Sequence, residues 1–214
     1  NNKTYYSDHA FATVIANDYK VTTGSAIVAG NAAWVEGSIS EQLHSLLKEK
    51  GIDYIYFDYS KNADMTESTT IGVPVEVAVN YHALLSDLDC SATYYYKLYV
   101  QTSSDSDYGG YWEGDVRSFK TDKTPETNMK ATTGSANGFA EYCNLEGSLS
   151  PNLLAQLLRD DTEFVYFDYS TKADMTEATT VSVRLDGIKY ATSISGLKGN
   201  TKYRDVDTGD ILDT

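Results

Sequence analysis

Apolar and polar residues alternate with a period of two along most of this chain. Tyr54-Ile55-Tyr56-Phe57-Asp58-Tyr59 alternates, and so does the stretch from Phe164 to Tyr169. Both predict strands, with Ile55, Phe57 and Tyr59, or Val165, Phe167 and Tyr169, on one face. Asp58 and Asp168 then point outward, beside tyrosines. Tyr94 to Val100 reads as a further strand with Tyr94, Tyr96, Leu98 and Val100 inward. One pattern of a different period interrupts the strands. Residues 40–51 open on Ser40, carry Leu43, Leu46 and Leu47, and close on Gly51, which predicts a short amphipathic helix with a serine N-cap. Its counterpart opens on Ser150-Pro151, a cap followed by proline at the first helical position, and continues with Leu153, Leu154, Leu157 and Leu158. Each helix is expected to pack over one end of a core through its apolar stripe.

These matching segments belong to an internal duplication. Lys20–Thr70 and Lys130–Thr180 align without a gap, 110 residues apart, and 24 of the 51 positions are identical. The shared blocks are TTGSA (Thr22–Ala26, Thr132–Ala136), EGS (Glu36–Ser38, Glu146–Ser148) and YFDYS-x-x-ADMTE (Tyr56–Glu67, Tyr166–Glu177). A period this long means two tandem domains, because solenoid units run to about 20–50 residues. The polar, proline-containing stretch Thr121–Asn128 reads as a linker. The chain therefore divides into a leading strand and linker (1–19), a first β-sandwich (20–122), a linker (123–129) and a second β-sandwich that is expected to be incomplete (130–214).

Composition narrows the classes of function. Seventeen basic residues face 31 acidic ones, a formal net charge of −14, so a phosphate backbone would be repelled and no nucleic-acid partner is expected. Eighteen tyrosines and only three prolines suit strands. No apolar run approaches the roughly 18 residues that a membrane-spanning helix needs. The chain begins at Asn1 rather than Met and is expected to be a processed or excised segment. Cys90 and Cys143 fall at non-equivalent places in the repeat, which argues against a disulfide between them.

At the end of each repeat, Leu88-x-x-x-Ala92-x-Tyr94 and Leu197-x-x-x-Thr201-x-Tyr203 resemble the L-x-P-x-T-x-Y corner of fibronectin type III domains. Ala92–Val100 and Tyr111–Thr121 are similar to the last two strands of bacterial fibronectin type III-like modules, in particular the repeated surface modules of Bacteroidetes. The resemblance implies an all-β fold of two tandem fibronectin type III-like β-sandwich domains, each with one short helix inserted between early strands. It also implies an extracellular or cell-surface setting. In such a corner the tyrosine hydroxyl bonds to the backbone and pins the crossing between sheets; that role falls to Tyr94 and Tyr203. The corner proline is replaced by Cys90 and Gly199, and the helix is an addition to the usual module. Trp34, whose counterpart is Asn144, lies on the outward face of its strand. It is either an interface residue or a ring covered by a neighbouring loop.

The two ends carry the candidate sites. Residues 5–13, with Tyr5, Tyr6 and Phe11, resemble the closing strand of repeat one, so the chain opens on a last strand without a domain of its own. Repeat two fades after Tyr203, where alternation would bury Asp205 and Asp207 at a cost of several kcal/mol each. An incomplete sandwich leaves an apolar groove and an open edge that a strand of another chain can fill. The expectation is head-to-tail self-association, residues 5–13 of one copy completing repeat two of the next, with a cut through a longer array as the simpler alternative. Tyr54, Tyr56, Tyr108, Tyr111 and Trp112 could form a platform for the sugar rings of a glycan ligand, with Tyr108, Tyr111 and Trp112 the chief candidates; cross-strand tyrosine pairs would explain the same residues. Asp205, Asp207 and Asp210 are weak candidates for Ca²⁺, off the spacing of a calcium loop. The acids Asp58, Asp64 and Glu67, repeated as Asp168, Asp174 and Glu177, suit either a cation loop or turn capping. His9, His44 and His82 fall in no catalytic motif, so no enzyme activity and no obligatory cofactor are expected. The reading is a non-catalytic stalk or fibre subunit, with a carbohydrate-binding accessory module as the alternative.

Overall fold

A computed structural model describes residues 18–75, 77–102, 110–125, 127, 129–139, 141–198, 201, 203–205 and 211–212. The protein is two tandem β-sandwiches, each with one nine-residue helix. In repeat one, β1 (Val21–Ala29), β2 (Ala32–Ile39) and β5 (Asn80–Leu85) form one sheet in the order β1-β2-β5. The facing sheet runs β4-β3-β6-β7, from β3 (Tyr54–Ser60), β4 (Thr69–Pro74), β6 (Thr93–Gln101) and β7 (Tyr111–Glu113); β8 (Arg117–Lys120) also pairs with β6. The helix α1 (Glu41–Glu49) links β2 to β3 across the two sheets.

Inward residues follow the alternation. Ile55, Phe57, Leu98 and Val100 have no solvent exposure, and Leu43 and Leu47 of α1 close the same core. Ser40 caps α1, its Oγ accepting from Leu43 N at 3.4 Å and from Lys20 N at 3.1 Å. Tyr94 forms the expected corner: its hydroxyl accepts from Asp89 N at 3.0 Å. Tyr203 accepts from Lys198 N at the same distance.

Repeat two reproduces this plan. Its first sheet is β13-β10-β9, from β9 (Ala131–Phe139), β10 (Tyr142–Leu149) and β13 (Lys189–Ser195). The helix α2 (Pro151–Arg159) follows β10, with Pro151 in its first turn. The second sheet is β12-β11-β14-β15, from β11 (Phe164–Ser170), β12 (Thr179–Arg184), β14 (Tyr203–Asp205) and β15 (Ile211–Leu212).

The two sandwiches are locked together by residues without counterparts elsewhere. Trp34 lies on the outer face of β2, stacks on His82 at 4.4 Å and is only 7% exposed, because with Leu84 it joins the apolar core of repeat two. Gly187 lies beneath the indole, where an added Cβ would come within 2.9 Å of the ring. Of the two readings of Trp34, the interface is the one found. Arg159 of α2 donates to Asp87 at 2.6 Å, and the Asn152 amide donates to the carbonyls of Pro125 (3.1 Å) and Thr127 (2.7 Å) in the linker. Gly30, at φ +61°, lets the β1–β2 turn approach so closely that a Cβ there would sit 2.2 Å from the Pro125 carbonyl. The positions equivalent to Trp34, His82 and Leu84 in repeat two are Asn144, Ala191 and Ser193, and Ser193 donates to Asn144 at 2.6 Å. This outer face is polar, unlike that of repeat one.

Candidate functional site

The repeats differ most along one strand edge. In repeat one, β3 is paired on both sides: with β4 throughout, and with β6 from Tyr56↔Tyr99 to Ser60↔Tyr95. Leu98 and Val100 of β6 thereby fill the space between the sheets, and Leu98 N donates to the Thr23 hydroxyl across the core at 3.1 Å. In repeat two, β11 is fully paired with β12, but β14 meets it only at Tyr169↔Asp205 and Ser170↔Arg204. Ile211 and Leu212 of β15 pair with Arg204 and Tyr203. Among the described residues, nothing pairs with the edge of β11 at Tyr166, Phe167 and Asp168.

A groove of about 520 Å³ lies under that edge. Leu153 and Leu157 of α2, Val165 and Phe167 of β11, Thr133 of β9 and Tyr190 of β13 form much of its wall. Leu43, Leu47 and Ile55 are fully buried in repeat one, whereas their counterparts Leu153, Leu157 and Val165 are partly exposed. Tyr166 is 62% exposed. A strand edge beside an apolar trough is the chemistry that strand addition uses: main-chain hydrogen bonds along the edge, alternate side chains into the groove.

Of the residues expected to donate the strand, Tyr5, Tyr6 and Phe11 lie outside the described residues. Tyr108 does too. Tyr111 and Trp112 point to opposite faces of β7. Trp112 pairs with Val100, and residues directly opposite share a face, so its indole turns toward the core and meets Tyr19 edge-on at 5.5 Å. That corrects the expectation that Trp112 offers an exposed stacking face. Tyr111 is outward, and it belongs to a ladder of cross-strand tyrosines in which the sequence had not singled out Tyr99. Tyr56 and Tyr99 stack at 5.3 Å, and Tyr99 and Tyr111 at 5.5 Å, across three strands. Lys97 and Glu113 form an ion pair beside it, each also bonded to the Tyr111 hydroxyl (3.1 and 2.8 Å). Burial opposes the charge on Lys97, yet these bonds outweigh it and raise its pKa; the Lys97 bond, then the Tyr111 bond, lowers that of Glu113. Burial raises the pKa of Tyr111 itself. The rings of the ladder face one another, the geometry of cross-strand pairs that stabilise a wet sheet face.

The repeated acids do not converge. Asp58 and Asp168 accept from the hydroxyls of Thr70 and Thr180 on the neighbouring strand. Asp64 and Asp174 each accept from the backbone and hydroxyl of the threonine two residues on (Thr66, Thr176), which lowers their pKa. Glu177 pairs with Lys172 at 2.6 Å. The Asp64 and Asp174 bonds are turn-capping roles, and the described residues hold no group of three or more potential metal ligands. Asp205 sits in β14; Asp207 and Asp210 lie outside the described residues. Both cysteines are free, and burial raises the pKa of the Cys143 thiol. No helix among the described residues is long and apolar enough to cross a membrane.

The chain matches no protein-family model and no curated protein sequence. Among solved structures, it is similar to the sensor domain of the anti-sigma factor RsgI4 from Pseudobacteroides cellulosolvens, with 18% identity over 51% of this chain and 78% of that one, at a TM-score of 0.36. It is also similar to the FN1-FN3 domains of chicken CNTN1, with 15% identity over 90% of this chain and 62% of that one, at a TM-score of 0.35. TM-scores this low carry no inference about function.

Proposed function

We propose that this protein is a non-catalytic extracellular structural module that joins copies head to tail. Repeat two accepts residues 5–13 of another copy as an added strand along β11. The observation that carries this reading is the edge at Tyr166–Asp168, with which nothing pairs among the described residues, beside a groove whose counterpart in repeat one is filled by β6. The donor is assigned by likeness. Residues 5–13 resemble the closing strand of repeat one, and their aromatic residues Tyr5, Tyr6 and Phe11 suit a pleated, half-buried position. A contact between one end of a copy and the opposite end of the next is heterologous, so it propagates into a filament rather than closing a dimer. The sequence resemblance to repeated bacterial surface modules supports the extracellular setting.

Sedimentation and negative-stain microscopy of the full chain, beside a deletion of residues 1–15, test the reading. Oligomers that grow with concentration in the full chain and vanish in the deletion are expected. A monodisperse single copy in both samples would overturn it.

A further inference from the structure

One sheet face changes its chemistry between the repeats. In repeat one the outward cross-strand row Ile27, Trp34 and Leu84 is apolar, and Trp34 and Leu84 pack into the core of repeat two. The same row of repeat two is Asn137, Asn144 and Ser193. Ser193 donates to the Asn144 side-chain carbonyl at 2.6 Å. The Asn144 NH₂ group and the Asn137 side-chain amide have no protein partner among the described residues. The next row, beside the β9–β10 turn, changes in the other direction. Ala29 and Ala32 of repeat one are small and buried, and their counterparts are Phe139 and Tyr142. These two rings stack at 4.5 Å and remain 47% and 44% exposed. Phe139 takes one face of Tyr142. On the other side its cross-strand neighbour is Ser195, followed by Gly196, where an added Cβ would meet nothing within 4 Å. Among the described residues, that face of the tyrosine stands open above the sheet.

We infer that this outer face of β9, β10 and β13 binds a neutral oligosaccharide. The site is separate from the edge of β11 and does not depend on strand addition. A pyranose ring offers an apolar C–H face rimmed by hydroxyls that both donate and accept. The open face of Tyr142 suits the first, an apolar body with a polar tip. The asparagine side chains suit the second, since each joins a two-donor NH₂ group to a carbonyl acceptor. Rows two residues apart along a strand lie about 7 Å from one another, so a sugar seated on Tyr142 brings the next unit of its chain over Asn137 and Asn144. A further repeat docked as at the existing joint fits worse, because it would take the same amides out of water without partners. Charge sets the class of sugar. The asparagine row is neutral, Glu146 lies in the row beyond it, bonded to Ser135, and the chain carries −14 overall. Lys189, a row further on, borders Trp34 at the joint. Uronic acids and sulfated sugars are therefore disfavoured.

Native gels cast with hydroxyethylcellulose, arabinoxylan, galactomannan or amylopectin are the test, with polygalacturonate as the acidic counterpart. At least one neutral polysaccharide is expected to retard the full chain, and polygalacturonate is not. Tyr142→Ala is expected to weaken that binding about tenfold. Asn137→Ala and Asn144→Ala should each weaken it a few-fold. Tyr111→Ala, on the tyrosine ladder of repeat one, should be retarded as the unmutated chain is. Three results would overturn the inference: no retardation by any neutral polysaccharide, equal retardation by polygalacturonate, or binding lost in Tyr111→Ala and kept in Tyr142→Ala. Self-association that Tyr142→Ala abolishes, with no polysaccharide bound, would make the face a contact between copies and overturn it too. Should Tyr142→Ala unfold, the side-chain amide signals of Asn137 and Asn144 in the unmutated chain decide the matter by NMR. They are assigned by their loss in Asn137→Asp and Asn144→Asp. Both are expected to shift when a short oligosaccharide cut from the retarding polysaccharide is added, and stationary signals contradict the site.

Discussion

Two hydroxyls hold the corners of the sandwiches. Tyr94 and Tyr203 each accept one backbone N–H, from Asp89 and Lys198, and a buried donor left without its acceptor costs more than the bond itself contributes. Tyr94→Phe and Tyr203→Phe are each expected to lower stability by about 1–2 kcal/mol, read from denaturant midpoints; an unchanged midpoint would remove the corner as a stabilising element. Lys97 and Glu113 give repeat one a pH signature. The glutamate pKa is depressed in the folded state, so its contribution is complete above the ordinary glutamate value and is lost as pH falls through the depressed one. The lysine pKa is raised, so its contribution is present below the ordinary lysine value and is lost as pH rises through the raised one. Thermal melts across the acid range should show a falling limb that Glu113→Gln flattens. Identical limbs in the two proteins would contradict the assignment.

At the scale of elements, the alternation and the two helix starts were legible because a strand face and a helix cap are local properties. The caps differ in a way that predicts different costs. The Ser40 hydroxyl accepts from Leu43 N inside its helix and from Lys20 N, whereas Ser150 makes no cap bond to its own helix and accepts from Lys130 N at 2.9 Å. Ser40→Ala should cost about 1 kcal/mol and Ser150→Ala less, by thermal melts of the two variants; equal losses would count against the cap geometry. Trp112 was not legible, since its direction depends on pairing with Val100 across a loop whose register no local pattern gives. Cross-strand tyrosine pairing was legible for Tyr56 and Tyr111, but the part of Tyr99 between them draws on three strands and was not. The groove was half legible. The sequence shows repeat two fading after Tyr203, but only the fold shows that, among the described residues, nothing pairs with β11 at Tyr166–Asp168.

Across the whole molecule, the joint between repeats contrasts with the polar far face. Trp34 spends its indole on the core of repeat two, helped by the Arg159–Asp87 pair and the Asn152 clasp on the linker. Trp34→Ala should destabilise repeat two by about 3–5 kcal/mol and split its unfolding from that of repeat one in calorimetry; a single unshifted transition would show that the indole does not couple them. Asn144, Ala191 and Ser193 offer no such anchor, so copies joined through β11 would be stiff within each copy and linked chiefly by the added strand. In the proposed assembly this strand comes from a neighbouring copy and lies on the edge of β11. Hydrogen exchange of the Tyr166–Asp168 amides, followed against protein concentration in the full chain and in the chain lacking residues 1–15, tests it most directly. Protection that rises with concentration only in the full chain is the predicted result; the same fast exchange in both chains at every concentration would contradict it.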